Sequence, residues 1–248
     1  MSAQPQKNNK ATPLDFSRFE FKYLIADDKR KEFEKELGHF VEFDPFVEQT
    51  ERHRYFVRSL YYDDPQYTSF FDKVDGLKKR SKFRLRTYSS EPGENVPQFL
   101  ELKGRHNQLV FKHRTPVQVP GEQDPTPELL EDPKDDRVRR QFLFDYYKKQ
   151  LRPVALIDYW RRPYISKWDP EFRLTFDMNL QVTETNKLFP SVHDRSRKVL
   201  PGYTVMEVKF RRHNPAWFHR LLRAYELERV SVSKICYGLE ALGIVEDN

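Results

Sequence analysis

The sequence predicts an α+β protein built around an antiparallel β-sheet of about eight strands that curls into a closed barrel. Seven short segments alternate apolar and polar residues with a period of two, which is the pattern of a strand with two unlike faces. In most of them Arg and Lys outnumber Asp and Glu on the polar face. Like charges in a row only repel on an ordinary solvated face, so we expect the polar faces to converge on a polyanion inside the barrel.

Residues 82–88 show the pattern most clearly, because three cations share a face with a tyrosine while two apolar residues and a threonine share the other. The other six segments are residues 18–23, 100–103, 110–114, 159–161, 172–177 and 206–210. The alternative interpretation is a sheet with one solvated, salt-bridged face, and the excess of cations over acids disfavours it. The predicted inward face carries Arg18, Glu20, Lys22, Lys82, Arg84, Arg86, Tyr88, Glu101, Lys103, Lys112, Arg114, Tyr159, Arg161, Arg173, Asp177, Glu207 and Lys209.

Helices and one further strand lie between these segments. We expect Asp27 to cap a helix that ends at Gly38 and a strand to run through residues 54–62. A turn or short helix over residues 67–72 should place Phe70 and Phe71 in the core. Further helices are predicted at residues 137–151, around Trp217 and Leu222, and from Ser233 onward.

The chain should form a single domain over residues 16–248, preceded by a disordered polar segment at 1–15. Residues 89–97 contain Pro, Gly and Asn and predict a loop. Residues 119–136 are rich in Pro and acids and predict a long excursion, either an ordinary loop or a flap over the barrel mouth.

Composition narrows the class of protein. The formal charge is +6 and the isoelectric point is about 9.2, which favours an anionic partner. The single cysteine, Cys236, excludes a disulfide framework and a cysteine zinc site. No long apolar run and no signal-peptide core is present. We therefore expect a soluble cytoplasmic protein without a membrane span.

The common catalytic motifs are missing from the sequence. It contains no G-x-G-x-x-G, G-x-x-x-x-G-K-[ST], H-E-x-x-H or G-x-S-x-G pattern. These absences argue against nucleotide-fold, zinc-hydrolase and serine-hydrolase chemistry. A nucleic-acid binder would combine outward cations with stacking aromatics, whereas here the aromatic residues alternate away from the cations.

Converging Arg and Lys suit phosphoryl transfer, in which catalysis is mainly positioning and neutralisation of charge. A carboxylate among them would hold Mg²⁺ or Mn²⁺ that bridges phosphate oxygens, or would pair with neighbouring cations. Glu207 is the first candidate for the metal, with Glu20, Glu101 and Asp177 as weaker ones. Ser233 and Lys234 at a helix start predict either a phosphate contact or an ordinary N-cap.

Eight short motifs occur in an order that resembles the catalytic domain of the vacuolar transporter chaperone (VTC) polyphosphate polymerases. That family is a branch of the CYTH-like triphosphate tunnel metalloenzymes. The likeness spans roughly residues 18–242. The motifs are R-x-E-x-K-Y at 18–23, S-x-Y-Y-D at 59–63, R-L-R-T-Y at 84–88, L-E-L-K at 100–103, Y-x-R at 159–161, R-L-T-x-D at 173–177, M-E-V-K at 206–209 and S-K-x-x-Y-G at 233–238.

The resemblance implies an antiparallel tunnel with a C-terminal helix near its mouth. It also implies a metal-dependent transfer of the terminal phosphate of ATP onto a polyphosphate chain. Carried over by position, Glu207 holds the metal and Tyr159 supports the phosphate ligands. The resemblance implies six residues that are both catalytic and phosphate-binding: Lys22, Arg84, Arg86, Lys103, Arg161 and Arg173. It implies four further phosphate-binding residues: Lys112, Lys209, Ser233 and Lys234.

Two departures from the pattern limit what carries over. The wider superfamily opens with Glu-x-Glu-x-Lys, but the first acid is replaced by Arg18, which fits the polymerase branch better than a two-metal triphosphatase. The eukaryotic polymerases also carry a phosphate-sensing domain and membrane helices that this chain lacks, so a membrane partner stays unidentified. The alternatives left open are hydrolysis of triphosphate or nucleoside triphosphates, and polyphosphate binding without turnover.

Overall fold

One large sheet and the helices on its two sides form the fold. The computed structural model describes residues 19–107, 109–119, 126–127, 136–211 and 213–246, and only the backbone of Leu109. The strands are β1 (Phe19–Ala26), β2 (Val41–Phe43), β3 (Tyr55–Asp63), β4 (Lys79–Thr87), β5 (Gln98–His106), β6 (Leu109–Val117), β7 (Arg152–Ser166), β8 (Arg173–Thr183), β9 (Ser196–Lys198) and β10 (Tyr203–Phe210). The helices are α1 (Asp27–Leu37), α2 (Thr68–Val74), α3 (Arg137–Lys149), α4 (Ala216–Ala224) and α5 (Lys234–Leu242), with 3₁₀ turns at Pro45–Val47 and Glu51–His53.

The main sheet follows the strand order β1-β10-β8-β7-β3-β4-β5-β6, and every neighbouring pair is antiparallel. Short strands β2 and β9 add to β7 and β8. The sheet curls strongly, because Lys103 Nζ on β5 lies 3.5 Å from Glu20 Oε1 on β1 at the other end of the order. The predicted α+β class and the eight-stranded antiparallel tunnel are confirmed. One detail differs: among the described residues no backbone ladder joins β6 to β1, and the ion pair between Lys103 of β5 and Glu20 of β1 spans this gap.

The outer face of the sheet is apolar and is covered by helices. Phe33 of α1 and Phe218 of α4 are fully buried in one core with Phe176 of β8. Phe142 of α3 packs edge-to-face against Tyr62 at 5.1 Å in a second core. Because apolar residues on the strands point outward into these cores, the alternating charged residues are directed into the curl.

Helix α5 lies inside the curl and covers part of the inner face. Its Ile235 and Leu239 are buried in a core with Ile157 and Val182 of the sheet. Gly238 makes this approach possible, because a Cβ there would lie 2.7 Å from Ile157 Cδ1. The predicted C-terminal helix therefore covers the apolar part of the interior and lies beside its charged part.

Several local predictions need correction. Asp27 is the first helical residue of α1 rather than its cap, which is Ala26, and its Oδ1 accepts a hydrogen bond from Thr204 Oγ1. Phe70 is buried, but Phe71 is 43% exposed because it lies on the outer side of α2. The short strand β2 was not predicted. The disordered segment at 1–15 lies outside the described residues, as does most of the acidic excursion at 119–136.

Candidate functional site

The inner face gathers most of the predicted site residues. Arg173 and Lys209 are two predicted site residues that are not fully buried. Arg173 on β8 is exposed, and its partner in the sheet register, Lys209 on β10, is half-buried. The charged residues that ion pairs and hydrogen bonds link inside the curl are Glu20, Lys22, Arg84, Arg86, Glu101, Lys103, Lys112, Arg161, Asp177, Glu207 and Lys234.

Glu207 and Asp177 anchor the most buried part of the site. Lys234 Nζ lies 2.8 Å from Glu207 Oε1 and 2.6 Å from Asp177 Oδ2. Arg161 binds Asp177 through Nε at 2.6 Å and reaches Glu207 Oε2 at 3.3 Å. Burial alone raises the pKa of Glu207, but Lys234, Lys22 and Arg161 outweigh it and hold that pKa well below its usual range. Glu207 is therefore charged, and both carboxylates bind Arg161 of β7 and Lys234 of α5.

Glu20, Lys22 and Lys103 form a second group at the seam of the tunnel. Lys22 Nζ lies 3.4 Å from Glu20 and 3.6 Å from Glu207, so one ammonium is shared by two carboxylates. Burial raises and Lys103 lowers the pKa of Glu20, which settles at about 2. Burial, together with the charge of Lys22, lowers the pKa of Lys103 to about 7 although Glu20 opposes the shift. Lys103 thus titrates near neutrality, and its side chain remains 30% exposed toward the open interior.

Glu101 organises the opposite wall of the tunnel. Its carboxylate is fully buried and binds Arg84 at 2.7 Å and Lys112 at 2.6 Å, with Arg86 at 3.8 Å. Burial raises the pKa of Glu101, but Arg84, Arg86 and Lys112 lower it to about 2. Burial lowers the pKa of Lys112 to about 8. Glu101 therefore fixes the direction of cations from β4 and β6.

Two side chains of this wall were not among the predicted site residues. Tyr61 on β3 accepts a hydrogen bond from Arg84 NH1 at 3.0 Å, and Ser59 Oγ accepts one from Arg86 Nε at 3.1 Å. Burial raises the pKa of Tyr61, but Arg84, Lys82 and Arg86 lower it to about 7. Alternation along residues 59–61 predicts that Ser59 and Tyr61 both point inward. Their role becomes clear only from the register of β3 against β4, which pairs them with Arg86 and Arg84.

Lys82 was predicted on the inward face but not in the site, and it contacts α5. Its Nζ donates to Ser233 Oγ at 3.2 Å, and Cys236 Sγ donates to the same oxygen at 3.1 Å. Ser233 is the N-cap residue of α5 by position, yet its side chain makes no capping hydrogen bond. The hydroxyl is therefore directed toward the cations of β4 rather than toward its own helix.

The arrangement leaves the interior positive. Eight bonded cations face four carboxylates in the described part of the tunnel (Lys22, Lys82, Arg84, Arg86, Lys103, Lys112, Arg161 and Lys234 against Glu20, Glu101, Asp177 and Glu207). Lys209 adds a further positive charge that acts on Glu20 and Glu207. In a partly desolvated channel such an excess attracts polyanions strongly. Arg offers a planar fork to phosphate oxygens and Lys offers a point charge.

A divalent metal in this site would need substrate phosphates or water to complete its coordination. The described residues contain no group of three His, Cys, Asp or Glu side chains that could hold a metal ion. Glu20 and Glu207 nevertheless converge on the single ammonium of Lys22. Mg²⁺ is commonly held by one or two carboxylates together with substrate phosphates and water, and this pair fits that mode.

Fold and site together define an antiparallel tunnel with an excess of cations inside it. The VTC domain model matches residues 17–243, so the chain belongs to the VTC domain family. No match was found among curated proteins. In the described part of the chain, no helix has the length and hydropathy needed to cross a lipid bilayer.

One solved structure shares the fold at low sequence identity, and two others show a weaker likeness. A candidate adenylate cyclase from Bacillus halodurans is 14% identical with a TM-score of 0.50, and the likeness covers 88% of this chain and 95% of that one. A Pyrococcus horikoshii OT3 protein is 14% identical with a TM-score of 0.47, covering 90% and 99%. The Mimivirus capping enzyme triphosphatase is 7% identical with a TM-score of 0.31, covering 86% and 90%. At these identities the likeness concerns the fold alone.

Proposed function

We propose that the chain is a metal-dependent polyphosphate polymerase that transfers the terminal phosphate of ATP onto a polyphosphate chain inside the tunnel. The observation that supports this most is the convergence of cations from five strands and α5 on one interior. Membership of the VTC domain family supports the same conclusion. These converging cations line the interior of the tunnel, which favours a thin polyphosphate strand over a nucleic acid.

The reaction needs an oxygen of the acceptor chain to attack the γ-phosphorus of ATP while the bond to the β-phosphate oxygen breaks and ADP leaves. Catalysis of this transfer is positioning plus charge neutralisation. We assign phosphate binding to Lys22, Arg84, Arg86 and Lys103, and to Arg161 once substrate competes with its acidic partners. Lys112, Arg173, Lys209, Ser233 and Lys234 complete the proposed set, with Tyr159 supporting Arg86 through a hydrogen bond of 3.3 Å.

Glu207 is the proposed metal-binding residue, with Glu20 beside it. A bound Mg²⁺ or Mn²⁺ would neutralise charge on the transferred phosphate. Lys22 and Lys234 already hold the Glu207 carboxylate in its charged form and in a fixed position. Binding of metal and triphosphate would therefore release one or both ammonium groups toward phosphate oxygens.

A phosphate-fate assay tests the proposal. Purified protein is incubated with ATP and Mn²⁺ or Mg²⁺, with and without a short polyphosphate primer, and the products are separated on a gel. We expect a ladder of lengthening polyphosphate and release of ADP. Orthophosphate without a ladder would assign the chain to triphosphate hydrolysis, because the two reactions differ in whether water reaches the attack position. Tight polyphosphate binding without turnover would leave a binding module.

A further inference from the structure

The outer side of the sheet carries a cavity of about 360 Å³, and the tunnel residue Tyr159 is among the residues that line it. Phe56 and Trp160 line it, and because Tyr159 points inward its neighbour Trp160 points outward. Asn179 and Gln181 of β8 are exposed at its edge and offer amide donors and acceptors. A cavity of this size with aromatic walls and a few polar groups is typical of small-molecule sites.

Four arginines lie beside this cavity on the same side of the sheet. They are Arg30, Arg52, Arg54 and Arg162, and they lie close enough that burial and the charges of the other three lower the pKa of Arg54. Glu34 pairs with Arg30 at 2.8 Å and with Arg162 at 3.0 Å, and Glu51 pairs with Arg52 at 3.4 Å. Two carboxylates thus face four guanidinium groups, so the arginine cluster has a net positive charge.

The hydrogen bonding of the arginine cluster is incomplete. Nε of Arg30 and Nε of Arg162 are buried, and neither has an acceptor among the described residues. A buried donor without an acceptor is costly, and such groups are uncommon away from functional sites. Arg52 and His53 have φ angles of 61° and 48°, and the strained Arg52 carbonyl accepts a hydrogen bond from Arg162 at 3.2 Å.

Trp160 connects the cavity to the arginine cluster. The Arg54 guanidinium lies 4.5 Å from the centre of the Trp160 ring, which also lines the cavity. Asp27 at the start of α1 lines the cavity too, and Arg30 and Glu34 follow on the same helix at about 5 and 10 Å along its axis. A ligand of that length could therefore contact the aromatic wall at one end and the guanidinium groups at the other.

We propose that this outer surface is a second ligand site, separate from the tunnel, that binds a nucleoside monophosphate. The base packs on Phe56 and Trp160 and its edge bonds to the amides of Asn179 and Gln181. The phosphate binds Arg54 and Arg52, for which the planar guanidinium is the suitable partner. The two carboxylates at the cavity end are already occupied, since Asp27 accepts from Thr204 and Asp158 binds Arg58 at 2.7 Å.

Isothermal titration of the full chain with adenosine monophosphate tests the site, at fixed ionic strength and without metal. Binding should persist when saturating tripolyphosphate fills the tunnel, and should exceed that of adenosine or ribose 5-phosphate alone. Arg54→Gln should raise Kd about tenfold or more, whereas Arg137→Gln on the exposed side of α3 should leave it unchanged. Circular dichroism checks that both variants fold.

Gln181→Ala provides an independent test of where the base binds, because the side chain is exposed and its loss should not disturb folding. It should weaken binding of adenosine monophosphate but not of ribose 5-phosphate. Absence of binding, displacement by tripolyphosphate, or an Arg54→Gln variant with unchanged Kd would each overturn the site. An unchanged Kd in Gln181→Ala would overturn the placement of the base.

Discussion

Lys234, the first residue of α5, forms a buried ion pair with Glu207 of β10 at 2.8 Å. The same ammonium lies 2.6 Å from Asp177 of β8. Helix α5 therefore has two functions in the fold, since its apolar residues cover one part of the inner face and its N-terminal lysine balances the acids of the other part.

Replacement of Lys234 by Met should destabilise the protein. Both acids would lose a partner in a region from which water is largely excluded, and breaking such a buried pair costs about 3–5 kcal/mol. Urea denaturation of Lys234→Met measures the free energy of unfolding, with Lys29→Met on the exposed side of α1 as the control. Equal stability of the two variants would show that the ion pair contributes little.

Glu207→Gln should separate catalysis from binding. The amide keeps the shape of the carboxylate but loses the charge that would hold a divalent cation, so metal-dependent turnover should fall by about 10²-fold or more. Tripolyphosphate affinity should stay the same or rise, because a negative charge leaves the interior. Glu184→Gln, an exposed acid paired with Arg195, is the matched control. Turnover that survives in Glu207→Gln would exclude the metal assignment.

The affinity for polyanions should depend on pH through Lys103 and Lys112. Their pKa values of about 7 and about 8 mean that both are charged at pH 6 and largely neutral above pH 9. Tripolyphosphate affinity should therefore fall by roughly tenfold as the pH rises from 6.5 to 9 at constant ionic strength. Calorimetry across this range measures the effect. Lys103→Met should lower the affinity at pH 6.5 and flatten the profile, and a wild-type profile without slope would contradict the lowered pKa values.

Tyr61→Phe should make that profile shallower above pH 7. With a pKa of about 7, the Tyr61 phenol loses its proton beside Arg84 as the pH rises, and the phenolate then competes with phosphate for the cation. The phenylalanine variant cannot form this negative charge, so it should bind tripolyphosphate more tightly than wild type at pH 8.5. Tyr147→Phe, whose side chain is 64% exposed, serves as the control. Identical profiles for Tyr61→Phe and wild type would argue against this ionisation.

Gly238→Ala should displace α5 from the sheet. The added methyl group would lie 2.7 Å from Ile157 and 3.1 Å from Val182, and overpacking of this kind costs about 1–3 kcal/mol. Because Ser233 and Lys234 move with the helix, turnover should fall along with the melting temperature. The double variant Gly238→Ala, Ile157→Val should recover part of both, since it removes the methyl group that clashes. Failure of this rescue would point to a cause other than the contact.

The sequence predicted the strands and their faces because the alternating pattern is strong and local. Phe83 and Leu85 point outward and Arg84 and Arg86 inward, as the period of two requires. Helix α5 was predicted from its apolar residues, but the direction of Ser233 was not. Its hydroxyl contacts Lys82, which is 151 residues away in the chain, and no local pattern encodes that contact.

Most of the contacts that could not be predicted from the sequence are made between elements that are distant in the chain. Asp177 was considered mainly as a metal ligand or partner of nearby cations, yet it binds Lys234 of α5 as well as Arg161 of β7. Arg173 shares a face with Asp177 but is exposed, because it lies near the end of β8 where the curl opens. The arginine cluster on the outer face was also not predicted, since its members come from α1, a 3₁₀ turn, the residue before β3 and strand β7.

The register of β1 against β10 has a consequence for how the chain folds. Phe19 pairs with Phe210 and Lys22 with Glu207. The first described strand can therefore pair with β10 only after almost the whole chain has been synthesised. During synthesis β1 stays unpaired with β10, its one partner among the described strands, until that strand leaves the ribosome. Contacts so distant in sequence make folding slow, typically milliseconds to seconds, and expose intermediates to aggregation. Expression at lower temperature or with chaperones should therefore raise the yield of folded protein more than any change within the tunnel.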